Sequence, residues 1–301
     1  MIFLTRHGDL RTLWRIVAFV VIAGTVGVPL TLLVSEAAPG VVAAQMISAI
    51  TAVAVATFVL TRFAHRKPFT AVGLASRPSI WRELGLGLLI GFLMMAGIFL
   101  VLVALGYVTL VGRGLTPAGV GEVVLHAALL FGLGAFFEEF TFRGYLFQTL
   151  IQGVTFLPAM IIFALLFSAA HVWNPNTTPL AMVNIALAGI WLSFAYMKTR
   201  RLWLPFGLHC AWNFSQTTIF GLPTSGNEMA GRAVVQAIVT GPEWLTGGAF
   251  GPEGGALATL ALILSTGHII KSDLYRPPEG VVTLDSLEDL LVPPAAGKEA
   301  G

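Results

Sequence analysis

The chain has 301 residues, of which 56% are hydrophobic and only 11% are charged, and its net charge is +2. A soluble globular protein carries about twice that share of charge, so a water-soluble domain is excluded. So small a net charge, with no interleaving of basic and aromatic residues, gives no ground for a nucleic-acid partner. The mean hydropathy of +0.84 fits a chain whose solvent is mostly lipid, because hydrocarbon removes the need for a charged surface. The expected fold class is all-α: a polytopic transmembrane helical bundle of about eight spans.

In chain order, "MIFLTRHGDLRTLWR" leads into an apolar run without a convincing small-residue cleavage site. It reads as a retained first span rather than a removed signal peptide. A crossing helix needs about 20 mostly apolar residues. On that measure spans are expected near 14–34, 41–61, 84–105, 121–150, 158–173, 180–198, 203–220 and 254–270. The fourth is too long unless it tilts, breaks or projects, and the fifth is short. Basic clusters fall before span one (Arg6, Arg11, Arg15) and between spans two and three (Arg62, Arg66, Lys67, Arg77, Arg82). Further clusters separate spans six and seven (Lys198, Arg200, Arg201) and follow span eight (Lys271, Arg276). With eight crossings all four clusters share one side, which the positive-inside rule makes cytoplasmic, with both termini.

The Gly- and Pro-rich region 221–253 holds a short apolar piece, "AVVQAIV", and reads as re-entrant or interfacial, which requires protein to shield its backbone. The tail from about 277 is polar and Pro-rich and reads as disordered. The division expected is 1–120, the first three spans; 121–220, a catalytic core; 221–275, the Gly/Pro segment and final span; and 276–301, the tail. Cys210 is the single cysteine, so no intrachain disulfide forms.

Three polar constellations interrupt the oil. In "FFEEFTFR", Glu139 and Arg143 are four apart and share a helix face, acid before base. Glu138 is about 100° round and faces elsewhere. Each such residue at mid-membrane costs roughly 2.5–3.5 kcal/mol on insertion scales. A stapling ion pair explains Glu139 and Arg143 but leaves Glu138 unexplained. "FSAAH" runs from Phe167 to His171 at the end of span five. Glu138 and His171 both lie about 20 Å from the hairpin between spans four and five, on antiparallel neighbours, so they are level. Pro158 stands at a plausible first helical position there. "HCAWN" places His209 and Asn213 on one face of span seven, in the cytoplasmic half if the 150–158 hairpin projects from the bilayer.

One unpaired acid, two imidazoles and an amide at compatible depth form a set suited to water chemistry inside a membrane. Glu138 would deprotonate a water that His171 helps to hold, and later return the proton to a leaving amine. His209 and Asn213 would donate to the developing oxyanion. Glu139 with Arg143 would orient Glu138. A zinc reading with Glu138, His171 and His209 as ligands stays open, although the HExxH signature is absent. The cofactor is thus none in the first reading and zinc in the second.

"EEFTFR", "FSAAH" and "HCAWN" resemble the EExxxR, FxxxH and HxxxN motifs of the CPBP family (CAAX protease and bacteriocin-processing, or Abi) of intramembrane proteases. "GIWLSFAYMKTRRLWLPFGLHCAWN" and "TGGAFGPEGG" resemble further stretches of bacterial members. The resemblance covers about 125–220. It implies an all-helical membrane endopeptidase related to type II CAAX prenyl endopeptidases, with glutamate and histidine on the water and histidine and asparagine on the oxyanion. It also implies a site opening toward the cytoplasm. The partners implied are membrane lipid and a peptide or membrane-protein substrate, a C-terminal prenylated segment among the candidates.

Two other classes compete. One is a non-catalytic scaffold or bacteriocin-immunity protein that retains the fold. The other is a proton-coupled transporter using the buried acid and histidines as a relay; no inverted repeat or paired broken helix supports it. His126, nearly on the face of Glu138, reads as structural; Asn184 in span six faces something internal, with packing or a substrate contact as its role, and His7, His65 and His268 read as interfacial. Trp173 and Trp212 fit interfacial or packing roles.

Overall fold

The structure, a computed structural model, describes residues 11–38, 40–75, 79–227 and 230–275. The tail 276–301, expected to be disordered, and His7, Arg6, Arg77 and Arg276 lie outside the described residues. The helices are α1 (Thr12–Ala37), α2 (Val42–Val59, continued by a π-helical turn at Leu60–Ala64) and α3 (Ser79–Ala104). Next come α4 (Pro117–Arg143), α5 (Tyr145–Val154), α6 (Phe156–Ala170) and α7 (Pro179–Thr199). Last are α8 (Trp203–Phe214, with a π-helical turn Ser215–Ile219), the one-turn α9 (Glu243–Thr246) and α10 (Ala256–Lys271).

Every apolar stretch expected as a span is helical. Five stretches are long and apolar enough to cross a membrane: Thr12–Ala37, Val42–Ala64, Ile80–Ala104, Pro117–Val154 and Pro179–Thr199. Helices α6 and α10 are shorter apolar helices. At 1.5 Å per residue each covers less than the ~30 Å of a hydrocarbon core. Length and composition therefore establish a multi-helix integral membrane protein with five helices of crossing length, not a count of eight.

The overlong fourth stretch breaks at Gly144, whose φ of −77° and ψ of −128° interrupt the helix between α4 and α5. A Cβ there would collide with the Phe140 carbonyl oxygen, so the break falls where the sequence has a glycine. The following hairpin turns at Thr155, which takes φ 70°. Helix α6 begins at Phe156 rather than at Pro158, which therefore sits two residues inside its first turn.

The all-α class holds with one addition. The apolar piece expected as re-entrant or interfacial contains β2 (Val235–Val239), which pairs antiparallel with β1 (Val108–Gly112), Val108 opposite Val239. The strands are far apart in sequence, and alternation along five residues left the pairing unreadable. The β1–β2 ribbon ties the α3–α4 connection to the segment after α8. Arg113 donates to the Ala233 carbonyl beside it.

Helices α3 and α8 run side by side in the same direction and meet through glycines. A Cβ on Gly87 would lie 2.5 Å from the Leu204 carbonyl oxygen, and one on Gly207 would lie 2.7 Å from that of Leu84. Small residues let membrane helices approach this closely, and packing supplies the attraction that the hydrophobic effect cannot supply in lipid. Arg201 and Glu83 pair at the beginning of this seam, both buried. Gly87→Val is expected to force the helices apart and cost about 1–3 kcal/mol or more by overpacking. A markedly lower thermal midpoint in detergent would show it, and an unchanged midpoint would contradict the close approach.

Candidate active site

The three constellations converge. The Glu138 Oε2 atom lies 3.9 Å from His171 Nε2 and 3.8 Å from His209 Nε2. That oxygen is buried, and no hydrogen-bond partner for it exists among the described residues. His171 is the residue after α6, and its Nδ1 donates to the Phe167 carbonyl at 2.8 Å, which points Nε2 at Glu138. The four-residue spacing of "FSAAH" is thus a helix-end device that orients the ring. The Phe167 ring packs against His171 and His209, with centroids 4.9 and 6.1 Å away, and under the Arg143 guanidinium at 4.7 Å.

Glu139 and Arg143 pair as expected, at 3.0 Å, both fully buried on α4. Their target differs from the expectation. Glu139 Oε1 also accepts from His209 Nδ1 at 2.9 Å, so the pair holds His209 rather than Glu138. Arg143 Nη2 donates to the Gly189 carbonyl of α7 at 3.2 Å, which anchors the charge across the bundle. Asn213, one turn beyond His209 on α8, lines the same cavity.

That cavity, of about 420 Å³, also exposes Asn174, Ser225, Asn227 and Glu253 to the site. Glu253 was not among the expected site residues. It reaches the site because the segment after α8 folds back over it: Glu253 Oε2 accepts from the Ser225 N–H at 2.8 Å and from Gln216 Nε2 at 2.9 Å. The "TGGAFGPEGG" stretch was the available signal, but no local periodicity connects it to α4 or α6. Asn184 packs between segments, its amide donating to the carbonyls of Glu253 and Gly255 and its oxygen accepting from Thr259, and it also lines the cavity. His126 is exposed on α4, while His65 and His268 each meet a tyrosine hydroxyl, of Tyr145 and Tyr275. Trp173 is 92% exposed, and Trp212 is buried against Trp191.

Burial raises the carboxyl of Glu253 above its ordinary value of 4.5, opposed by the Ser225 and Gln216 hydrogen bonds and by His171. The folded state therefore keeps this proton to higher pH than the unfolded chain does. Its contribution to stability is complete below the ordinary value and is lost as pH rises through the raised one. As pH rises above the ordinary value of 4.5, thermal midpoints of Glu253→Gln should fall less than those of wild type. Parallel curves would contradict this.

A zinc ion was the open alternative. No group of three His, Cys, Asp or Glu side chains among the described residues is arranged to hold a metal ion. The set does not match a zinc site, and no step below passes through one.

Fold and site together define a helical membrane protein with an acid, two imidazoles and an amide around one buried cavity. Residues 120–215 match the family model described as Type II CAAX prenyl endopeptidase Rce1-like, a segment that contains Glu138, His171, His209 and Asn213. The match, over about a third of the chain, supports assignment to the CPBP, or CAAX protease, family of intramembrane endopeptidases. Searches of curated proteins and of solved structures return no match.

Proposed function

We propose that this chain hydrolyses peptide bonds within the membrane, with Glu138 as general base and then general acid. The observation that carries the reading is the Glu138 Oε2 atom, buried with no hydrogen-bond partner among the described residues and lying 3.8 and 3.9 Å from two imidazole Nε2 atoms. Those separations are too long for direct hydrogen bonds and suit one bridging water. With Nδ1–H committed to the Phe167 carbonyl, His171 Nε2 accepts, so a water donates one hydrogen to His171 and the other to Glu138.

In the reaction Glu138 takes the proton, and the water oxygen bonds to the scissile carbonyl carbon. The C–N bond then breaks as Glu138 returns the proton to the departing amine, leaving a carboxylic acid and an amine. The oxyanion formed in between needs donors. Asn213 offers an amide. His209 donates from Nδ1 to Glu139; donation from Nε2 as well calls for the imidazolium, and Glu139 supplies the negative charge opposite it. A fully buried pair behind His209 keeps that donor from reorienting, which is what preorganised oxyanion stabilisation requires.

The test is cleavage of a peptide library by the purified protein, read by mass spectrometry, wild type beside Glu138→Gln. Cleavage by wild type that the variant lacks is expected. A phenotype in cells that survives Glu138→Gln would instead identify a scaffold or immunity protein.

A further inference from the structure

The cavity has a floor and a rim at different ends of the bundle, and the ends differ in charge. One end gathers the start of α1, the end of α2, the start of α3, the α7–α8 connection and the end of α10. Contacts hold these pieces together: Arg15 donates to Gln152 at 2.6 Å, the Leu202 N–H to the Gly73 carbonyl at 3.0 Å, and Arg82 to the Leu274 carbonyl at 3.3 Å. Apart from Arg143 in the interior, only Arg113 and Arg232 among the described lysines and arginines lie away from this end. The positive-inside rule makes it the cytoplasmic end.

Toward this basic end the site is backed by buried side chains. Below Glu138 lie Glu139, Phe140, Arg143, Tyr145, Phe147 and Tyr196, each no more than 2% exposed. Toward the other end the cavity is polar. Its rim residues Asn174, Ser225, Asn227 and Glu253 all belong to the α6–α7 connection or to the segment after α8. Asn174 and Asn176 donate to the carbonyls of Ser225 and Gly226, which joins the two rim segments. The depth agrees: Gly91 faces Leu208 and Ala211, so His209 is level with the middle of α3, and Asn213 is a turn further from the basic end. Glu138 and His171 keep 27% and 18% side-chain exposure, and the polar residues nearest that exposure are those of the rim.

We infer that the catalytic cavity opens on the face opposite the basic end, the extracytoplasmic one. This departs from the cytoplasmic opening that the motif resemblance implies. The substrate class follows, and rests on the endopeptidase reading: a peptide segment presented from the extracytoplasmic side, such as part of an exported, membrane-anchored polypeptide. The apolar wall fits the anchor, since Met46 near the outer end of α2 faces Gly134 of α4 on the cavity's lining. A newly prenylated cytoplasmic tail would meet the packed floor instead.

Single cysteines test the opening in the full chain with Cys210→Ala as background: Trp173→Cys and Asn227→Cys at the rim, Lys67→Cys at the basic end. A membrane-impermeant sulfonated maleimide is the probe. In intact spheroplasts it should label the two rim cysteines and spare Lys67→Cys; in inverted vesicles the pattern should reverse. Labelling of Lys67→Cys from outside, or of Trp173→Cys from the cytoplasmic side alone, overturns the inference. Trp173 is nearly fully exposed, so its replacement leaves the fold intact and keeps the test decisive if Asn227→Cys misfolds. The labelling does not depend on catalysis. If Glu138→Gln keeps full cleavage while the labelling holds, the endopeptidase reading fails alone.

Discussion

Glu138→Gln is expected to lower peptide cleavage by about 10²–10⁴-fold, the range a general base or acid contributes, while leaving the fold and its stability nearly unchanged. The two halves of this expectation share one cause. Glu138 Oε2 makes no hydrogen bond to any described residue, so an amide at that position breaks none there. The neutral amide accepts a hydrogen bond from water but takes no proton from it, so attack on the carbonyl loses its base. Asn213→Ala should behave differently in degree, losing about 10²–10³-fold, as removal of one oxyanion donor does. Both are read as cleavage rates beside thermal midpoints in the same detergent. Cleavage by Glu138→Gln at the wild-type rate would end the mechanism.

The second large effect concerns the buried pair behind the site. Arg143→Leu should destabilise the protein by about 3–5 kcal/mol, because it leaves the Glu139 carboxylate buried with a lost partner. The double variant Glu139→Gln with Arg143→Met removes both charges, and its stability should return most of the way toward wild type. Activity should not return with it. Glu139 Oε1 also accepts the Nδ1 hydrogen of His209, so the double variant loses the negative charge that fixes this ring. Stability without activity is the signature of a pair that positions a donor. If the double variant regains both, Glu139 and Arg143 only staple the helices.

These two experiments divide the polar residues of α4 by what they touch. Adjacent in sequence, Glu138 and Glu139 sit about 100° apart on the helix. One faces the cavity with 27% of its side chain exposed, and the other is fully buried. The family match over 120–215 covers this divide but leaves out the rim formed by 223–227 and 252–254.

What the amino-acid sequence determined on its own was local and compositional. Apolar runs set where helices form, since lipid leaves the backbone no other partner. Four-residue spacing set Glu139 against Arg143 and aligned His209 with Asn213, because the helix repeat does this wherever the helix lies. Gly144 supplied the break in the overlong fourth stretch. The tertiary structure alone decided the rest. It turned Glu139 toward His209, paired β1 with β2 across more than a hundred residues, and folded Glu253 over a site it does not adjoin in sequence. It also packed buried side chains toward the basic end and gathered polar residues toward the opposite one. Such features depend on which surfaces of distant segments meet, and no periodicity within a segment encodes that.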